Sequence, residues 1–218
     1  MIDFSPVFER TPELLKATGV SVALAMGALL IGSLLGTLLA ILETSGSSGA
    51  RMLIKIYTTI LRGTPMLIQI VFIYYIVSNY LHLSAFLCAL IAIGMNSSAY
   101  ISQIIKAGIR SISIGQLDAA QALGIPRREL LKSVILPQAI RTVLPALGNE
   151  AITLIKDTSL ASMIGVGELF FVGKTIISQT YDALSIYIVL ACMYMLLTIS
   201  LSYAITILES KLSYHARN

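Results

Sequence analysis

The stretch that decides the fold is residues 63–105, GTPMLIQIVFIYYIVSNYLHLSAFLCALIAIGMNSSAYISQII, which contains no Asp, Glu, Lys or Arg. A helix needs about 20 apolar residues to cross the hydrocarbon core of a bilayer. At about 1.5 Å per residue, this uncharged run is about twice as long as one span requires. A polar cluster marks a turn near its middle: Ser78, Asn79, His82 and Ser84. The run therefore predicts two membrane spans, over about 62–80 and 84–106.

The composition of the whole chain also indicates a membrane protein. Hydrophobic residues make up 56% of the 218 residues and charged residues only 12%, about half the charged share of a soluble domain. The mean hydropathy is +0.86. Two further uncharged runs, 17–42 and 183–208, predict the first and the last span.

Several function classes are excluded by the residue types. Cys88 and Cys192 both lie in apolar runs, so neither a disulfide framework nor a thiolate metal site is expected. His82 and His215 are too few and too scattered for a histidine metal centre. The net charge of +4 is not arranged as a basic stripe with interleaved aromatic residues, so no nucleic-acid partner is expected.

A fifth span, over 134–156, is less apolar and contains Pro137, Arg141, Pro145 and Glu150. The distribution of basic residues supports it. With five spans and the N-terminus outside, the cytoplasmic side holds most of the 15 Lys and Arg residues: Arg51, Lys55, Arg62, Lys106, Arg110, Arg127, Arg128, Lys132, Arg141, Lys211 and Arg217. Cytoplasmic loops carry such an excess. We therefore predict an all-α integral membrane protein with five transmembrane helices and a cytoplasmic C-terminus.

The segment before the second span has the pattern of a basic helix at the membrane surface. Apolar residues recur at helical spacing: Leu53, Ile56, Tyr57, Ile60 and Leu61. Arg51, Lys55 and Arg62 lie opposite them, as in interfacial helices. Thr64 fits an N-cap and Pro65 the first position of the next helix. The pattern is compatible with a separate surface helix and with the lower half of a kinked span.

The longest polar stretch between spans, 112–132, predicts two short helices on the cytoplasmic face. Residues 114–124 form the first helix, which ends at Gly124, and Pro126 precedes the second. A glycine just past one helix and a proline at the start of the next are the usual residues of such a junction.

This stretch resembles the "EAA" loop of binding-protein-dependent ABC importer permeases. The family pattern is Glu-Ala-Ala, three residues, Gly, nine residues and Ile-x-Leu-Pro. Here Asp118-Ala119-Ala120, Gly124 and Val134-Ile135-Leu136-Pro137 keep that spacing, with Asp118 for Glu and Val134 for Ile.

Further motifs resemble the polar amino acid uptake branch of that family: Arg62-Gly63-Thr64-Pro65 with Gln69 and Tyr74-Tyr75, Asn96-Ser97-Ser98-Ala99-Tyr100-Ile101, and Gly148-Asn149-Glu150 through Lys156-Asp157-Thr158-Ser159-Leu160. The similarity covers about residues 15–210. One departure is Gln103, where the branch usually has Glu.

The resemblance implies a multi-pass permease subunit of a bacterial inner membrane importer. It implies a homo- or heterodimer of permeases, two ATPase subunits that dock on Asp118, Ala119, Ala120 and Gly124, and an extracytoplasmic binding protein that delivers an amino acid. ATP and Mg²⁺ would then be bound by the ATPase, with no cofactor on this chain. No catalytic residue and no metal ligand is expected.

Two other functions remain as alternatives. A stand-alone secondary transporter or channel often shows internal repeats and several charged spans, and no convincing repeat links 17–105 with 134–208. An intramembrane enzyme would need a catalytic constellation, which is not found. Gly173-Lys174-Thr175 resembles part of a phosphate-binding loop, but Glu168 occupies the position where that motif requires glycine.

Charged side chains inside a membrane usually face a cavity or a partner. Glu150 and Asp157 are two helical turns apart, with Thr153 between them on about the same face. Gln69, Asn96 and Ser97 belong to spans two and three and complete the candidate substrate path. Carboxylates there favour a substrate with a cationic group, such as arginine, lysine or histidine, with glutamine or cystine as neutral competitors. Alternatively, Glu150 pairs with Arg141 or Lys156, and Asp157 lies in the outer interface.

Overall fold

The computed structural model describes residues 4–214, so His215 and Arg217 lie outside the described part of the chain. The helices, in chain order, are α1 Ser5–Glu9, α2 Thr11–Ser45, α3 Ser48–Gly63, α4 Met66–Leu81, α5 Ala85–Arg110, α6 Ile114–Ala122, α7 Arg127–Leu130, α8 Leu136–Asp157, α9 Leu169–Thr180 and α10 Ala183–Tyr214. A π turn, Leu131–Ile135, joins α7 to α8, and a 3₁₀ helix, Thr158–Ile164, follows α8.

Among residues 4–214, four helical stretches are long and apolar enough to cross a membrane. They are Thr11–Thr44, Ala85–Arg110, Arg128–Ile164 and Ala183–Lys211. The pair α3 and α4, bent by 110°, passes the same test as a unit and brings the number of spans to five. The predicted all-α membrane fold is therefore confirmed.

The helices α3 and α4 reach the length and hydropathy of one span only when they are taken together, and the 110° bend makes a distinct helix of α3. Its apolar residues Met52, Leu53, Ile56 and Ile60 are exposed, as expected for a helix that lies against lipid. The junction differs from the predicted one. The Thr64 hydroxyl donates to the carbonyl of Ile60, 2.8 Å away, so it closes α3, and Pro65 is the N-cap of α4 rather than its first residue.

The centre of the fold is α5, which packs against α2, α3, α4 and α8. Its contact with α2 depends on small residues. A Cβ atom at Gly32 would lie 2.7 Å from Ser97 Oγ, and one at Gly36 would lie 2.9 Å from the carbonyl oxygen of Ser98. The glycine pair therefore allows the close helix approach that such spacing indicates in membranes.

The fourth span has a π turn near its start, just before Pro137, and contains Pro145 in its interior. A proline ring clashes with the carbonyl four residues earlier and lacks the backbone donor. The wider π turn accommodates the first of these prolines. The span then runs through α8, which carries the candidate acidic residues, into the 3₁₀ helix.

Candidate substrate cavity and coupling segment

A cavity of about 240 Å³ lies between α8, α5 and the α3–α4 junction. Four of the six predicted substrate-path residues line it, together with three residues that were not predicted, Thr64, Met66 and Tyr100. The structure thus brings Asn96, Glu150, Thr153 and Asp157 together around one space. Ser97 and Gln69 do not line this space. Each is hydrogen-bonded to a residue that does, Ser97 to Glu150 and Gln69 to Asn96.

One wall of the cavity is acidic. Glu150, Thr153 and Asp157 lie on α8 at the predicted spacing, and both carboxylates are half-buried. The Ser97 hydroxyl donates to Glu150 Oε1 over 2.8 Å. Among residues 4–214, neither carboxylate forms an ion pair with Arg141 or Lys156, the partners of the alternative interpretation. The wall therefore presents two carboxyl groups without an ion-pair partner among the described residues to whatever enters the cavity.

Gln69 and Asn96 hold the α3–α4 junction in place. The Gln69 amide nitrogen lies 2.8 Å from the Leu61 carbonyl oxygen and 2.8 Å from Thr64 Oγ1. Asn96 Nδ2 donates to the Leu61 carbonyl, 3.0 Å away, and to Gln69 Oε1, 2.9 Å away. These bonds satisfy carbonyl groups at the end of α3 that have no partner within the helix. Gln69 is buried and does not line the cavity itself. It contributes by fixing the α3–α4 junction that forms one side of the cavity.

Tyr100 connects the cavity with a basic residue on α3. The guanidinium carbon of Arg62 lies over the Tyr100 ring, 5.3 Å from its centroid, which is within the range of a cation–π contact. Beneath it, a groove of about 540 Å³ is lined by basic and polar side chains: Glu43, Lys55, Thr58, Thr59, Arg62, Gln103 and Lys106, together with Gly63.

The residue that departs from the family pattern, Gln103, lies in this groove. Lys106 forms an ion pair with Glu43, and Gln103 Nε2 donates to the other oxygen of Glu43 over 3.4 Å. A glutamate at position 103 would place a second negative charge beside Glu43. The Gln103 amide avoids that repulsion and is compatible with the ion pair between Glu43 and Lys106.

The polar stretch 112–132, the candidate coupling segment, adopts the predicted pair of short helices, α6 and α7. Gly124 has a φ of +69°. Its N–H donates to the Gln121 carbonyl, and the N–H of Ile125 donates to the Ala120 carbonyl, both over 3.0 Å. These two bonds define a Schellman motif, in which glycine adopts the left-handed conformation at least cost. The predicted role of Gly124 in ending the helix is confirmed.

The surface of this segment is partly apolar. Ile114 is 73% exposed and Leu123 77% exposed, and Asp118 and Ala119 are also exposed. Ala120, by contrast, is only 5% exposed. Large exposed apolar side chains beside an acidic residue are typical of a surface that docks onto another protein.

A buried carboxylate that sequence reasoning missed lies at the other end of the molecule. Glu168 is fully buried and accepts hydrogen bonds from the backbone N–H groups of Phe170 and Phe171 at the start of α9. The hydroxyls of Tyr194 and Ser21 donate to it as well. Burial raises the pKa of Glu168, and these hydrogen bonds oppose that rise. The residue ties α2, α9 and α10 together.

Residues 19–214 match the family of binding-protein-dependent transport system inner membrane components. The chain belongs to that family.

Within residues 4–214, no three His, Cys, Asp or Glu side chains lie together as a metal site would require.

The relatives of this permease are amino acid transporters. It is 36% identical to a putative glutamine transport system permease protein of Rickettsia bellii over 97% of both chains. It is 32% identical to the arginine transport system permease protein of Bacillus subtilis over 97% of both chains. A solved amino acid ABC transporter with histidines has a TM-score of 0.91 and 33% identity, and the match covers 97% of this chain and 99% of that one.

The chain is therefore a permease subunit of an amino acid ABC importer, embedded in the inner membrane by several helices. The alternative of a stand-alone secondary transporter or channel is not favoured.

Proposed function

We propose that this permease imports an amino acid with a cationic side chain and that the substrate passes through the cavity beside α8. The observation that carries the proposal is the acidic wall of Glu150 and Asp157, which no basic side chain among the described residues neutralises by an ion pair. Charges at this depth are costly in a membrane. A cationic substrate lowers that cost when it binds and gives the two carboxylates a role.

The remaining polar residues support this path in different ways. Ser97 orients Glu150 through its hydroxyl, and Thr153 lines the same wall. Asn96 and Gln69 fix the junction that forms the opposite side. The transport cycle is alternating access, in which rocking of the helices opens the cavity first outward and then inward.

The energy for this cycle comes from ATPase subunits that bind ATP and Mg²⁺. Asp118, Ala119 and Gly124 contribute to the docking surface at the end of α6, with the buried Ala120 beneath it, and the exposed Ile114 and Leu123 supply apolar contact area. Closure of the ATPase dimer moves α6, which transmits the movement to α5 and α8.

The other partners follow from the same assembly. A second permease copy, identical or related, completes the transporter, and an extracytoplasmic binding protein delivers the amino acid. The N-terminus lies outside and the C-terminus in the cytoplasm, because the basic residues Arg51, Lys55, Arg62 and Lys106 then face the cytoplasmic side.

The substrate class is tested by ATP-dependent uptake into proteoliposomes that contain this permease with its ATPase and binding protein. We expect labelled L-arginine, L-lysine or L-histidine to be accumulated in preference to L-glutamine. Preferred accumulation of L-glutamine, the substrate in the names of several relatives, would contradict the proposed role of the acidic wall.

The docking surface is tested separately with Gly124→Leu. A Cβ at Gly124 meets no atom within 4 Å, so the substitution acts through the left-handed backbone and the docking surface rather than through an internal clash. Gly49→Leu, also free of neighbours and not in a left-handed conformation, is the matched control. We expect Gly124→Leu to insert normally and to copurify with much less ATPase, and Gly49→Leu to copurify normally. Normal copurification and transport by Gly124→Leu would refute the docking assignment.

A further inference from the structure

Every amino acid carries an α-carboxylate, and the side chains that line the cavity have almost no hydrogen-bond donor left for it. The Thr64 hydroxyl donates to the Ile60 carbonyl, and the Thr153 hydroxyl donates to the Asn149 carbonyl. The Asn96 amide donates to the Leu61 carbonyl and to Gln69. The Tyr100 hydroxyl is neutral and does not balance a negative charge. The lining side chains thus suit the cationic end of a substrate and supply no positive charge for its carboxylate.

A positive charge is nevertheless in contact with this lining. Arg62 is exposed on α3, and its guanidinium lies over the ring of Tyr100. A guanidinium carries five N–H donors in a plane, and stacking on an aromatic face leaves its edge free to form two parallel hydrogen bonds to a carboxylate.

The other basic residues near the cavity are less suited to this task. Lys106 is held by Glu43, and Gln103 occupies the second oxygen of that carboxylate. Lys55 lines the groove, as Arg62 does, but of these two residues it is Arg62 that stacks on a side chain of the cavity lining, Tyr100. Arg62 is positioned by the same network that fixes the end of α3, because Asn96 and Gln69 both bind the neighbouring Leu61 carbonyl.

We propose that Arg62 binds the α-carboxylate of the transported amino acid at the edge of the cavity, while Glu150 and Asp157 bind its cationic group. Tyr100 holds the guanidinium between the cavity and the groove. This inference rests on the proposed substrate path and adds a specificity residue to it. Because the carboxylate is common to all amino acids, the role of Arg62 does not depend on the side chain that is transported.

The test compares ligands with and without a free α-carboxylate, by calorimetric titration of the purified permease–ATPase complex. One pair is L-arginine and L-arginine methyl ester, and the second is L-glutamine and its α-amide. A hydrogen bond to a charged group contributes about 1.5–3 kcal/mol, or about a 10- to 100-fold change in affinity. We expect Arg62→Gln to weaken binding of the free amino acid by at least about tenfold and to leave its ester or amide unchanged.

Two further variants separate recognition from loss of structure. Arg62→Lys keeps the charge and loses the planar fork, so it is expected to fall between wild type and Arg62→Gln. Arg51→Gln removes an exposed arginine from the same helix, where it contacts Ser48, and is expected to bind all ligands as wild type does.

The outcomes distinguish this inference from the proposed substrate class. If the arginine pair binds poorly but Arg62→Gln selectively weakens L-glutamine, the cationic preference is wrong and the role of Arg62 stands. If Arg62→Gln weakens both members of each pair equally, or if wild type does not discriminate between them, the role of Arg62 is refuted. Tighter binding of L-arginine by Arg62→Gln would also refute it, since Arg62 would then compete with the substrate for Tyr100.

Discussion

Gly32 and Gly36 in α2 leave no room for side chains where this helix crosses α5. The carbonyl oxygen of Ser98 lies 2.9 Å from the position of a Cβ at Gly36, and a backbone atom of the central helix cannot move aside as a flexible side chain can. Such a distance is shorter than real Cβ contacts. The interhelical distance is therefore set by these residues.

We predict that Gly36→Ala destabilises the protein, whereas Gly19→Ala does not. Gly19 lies in the same helix, and a Cβ there meets nothing within 4 Å. Overpacking of a close contact typically costs about 1–3 kcal/mol. The measurement is the thermal unfolding midpoint in detergent, and equal midpoints for the two variants would show that α2 and α5 can separate without cost.

Glu168 supports a second prediction at the scale of single residues. Glu168→Ala leaves the hydroxyl of Tyr194 and the first N–H groups of α9 without their buried acceptor. An unsatisfied buried group costs about 1–3 kcal/mol, so a clear drop in the unfolding midpoint is expected. Glu168→Gln keeps one acceptor oxygen and should lower the unfolding midpoint less than Glu168→Ala does.

The control for Glu168 is Glu13→Ala, which removes an exposed carboxylate that pairs with Arg10 on the surface. Surface ion pairs contribute about 0–1 kcal/mol, so this variant should remain close to wild type. A Glu168→Ala protein as stable as Glu13→Ala would mean that the buried network contributes nothing.

Gly124 and Glu168 show what can be predicted of individual residues. Gly124 was predictable because a glycine between two short helical patterns is a local signal. Glu168 was not, because its partners Ser21 and Tyr194 are distant in sequence and glutamate is not a favoured N-cap residue. The proximity of Arg62 to Tyr100 likewise depends on the bend of 110°, which no local pattern encodes.

At the scale of elements, the junction between α3 and α4 depends on two amide side chains. We predict that Gln69→Ala lowers stability and transport, because the carbonyl of Leu61 and the hydroxyl of Thr64 lose a donor. A loss of about 1–3 kcal/mol is expected for these buried groups. The measurement is the unfolding midpoint together with the rate of substrate uptake.

The matched control is Asn79→Ala, because Asn79 is an exposed amide in the last turns of the same helix. It should leave both quantities unchanged. Wild-type uptake by Gln69→Ala at a normal unfolding midpoint would show that the junction is held by apolar packing alone.

The spans were predictable from uncharged length, since α5 and α10 contain nearly all of the predicted ranges 84–106 and 183–208. The hydrogen bonds that hold the α3–α4 junction were less predictable from the sequence. The sequence left open whether α3 is a surface helix, because an amphipathic pattern is compatible with both arrangements. The short helix α9 was not predicted, since a helix of 12 residues between two spans has no membrane-length signal.

At the scale of the whole molecule, the orientation in the membrane is a prediction that labelling tests. In a background without Cys88 and Cys192, single cysteines at Ser78 or Asp182 should react with an impermeant thiol reagent added to intact cells. Cysteines at Ser47 or Gln116 should be shielded, because the basic segments lie in the cytoplasm. Labelling at Gln116 from outside would invert the proposed topology.

The acidic wall of the cavity is the central claim about how this molecule selects its substrate. The most direct measurement is ATP-dependent uptake of labelled L-arginine by Glu150→Gln and Asp157→Asn, with Glu13→Gln as the exposed control. A lost charged hydrogen bond corresponds to about a 10- to 100-fold change, so we predict at least about a tenfold loss of apparent affinity in complexes that still copurify with the ATPase. If both variants keep wild-type uptake and selectivity, the carboxylates are structural and the proposed substrate path is wrong.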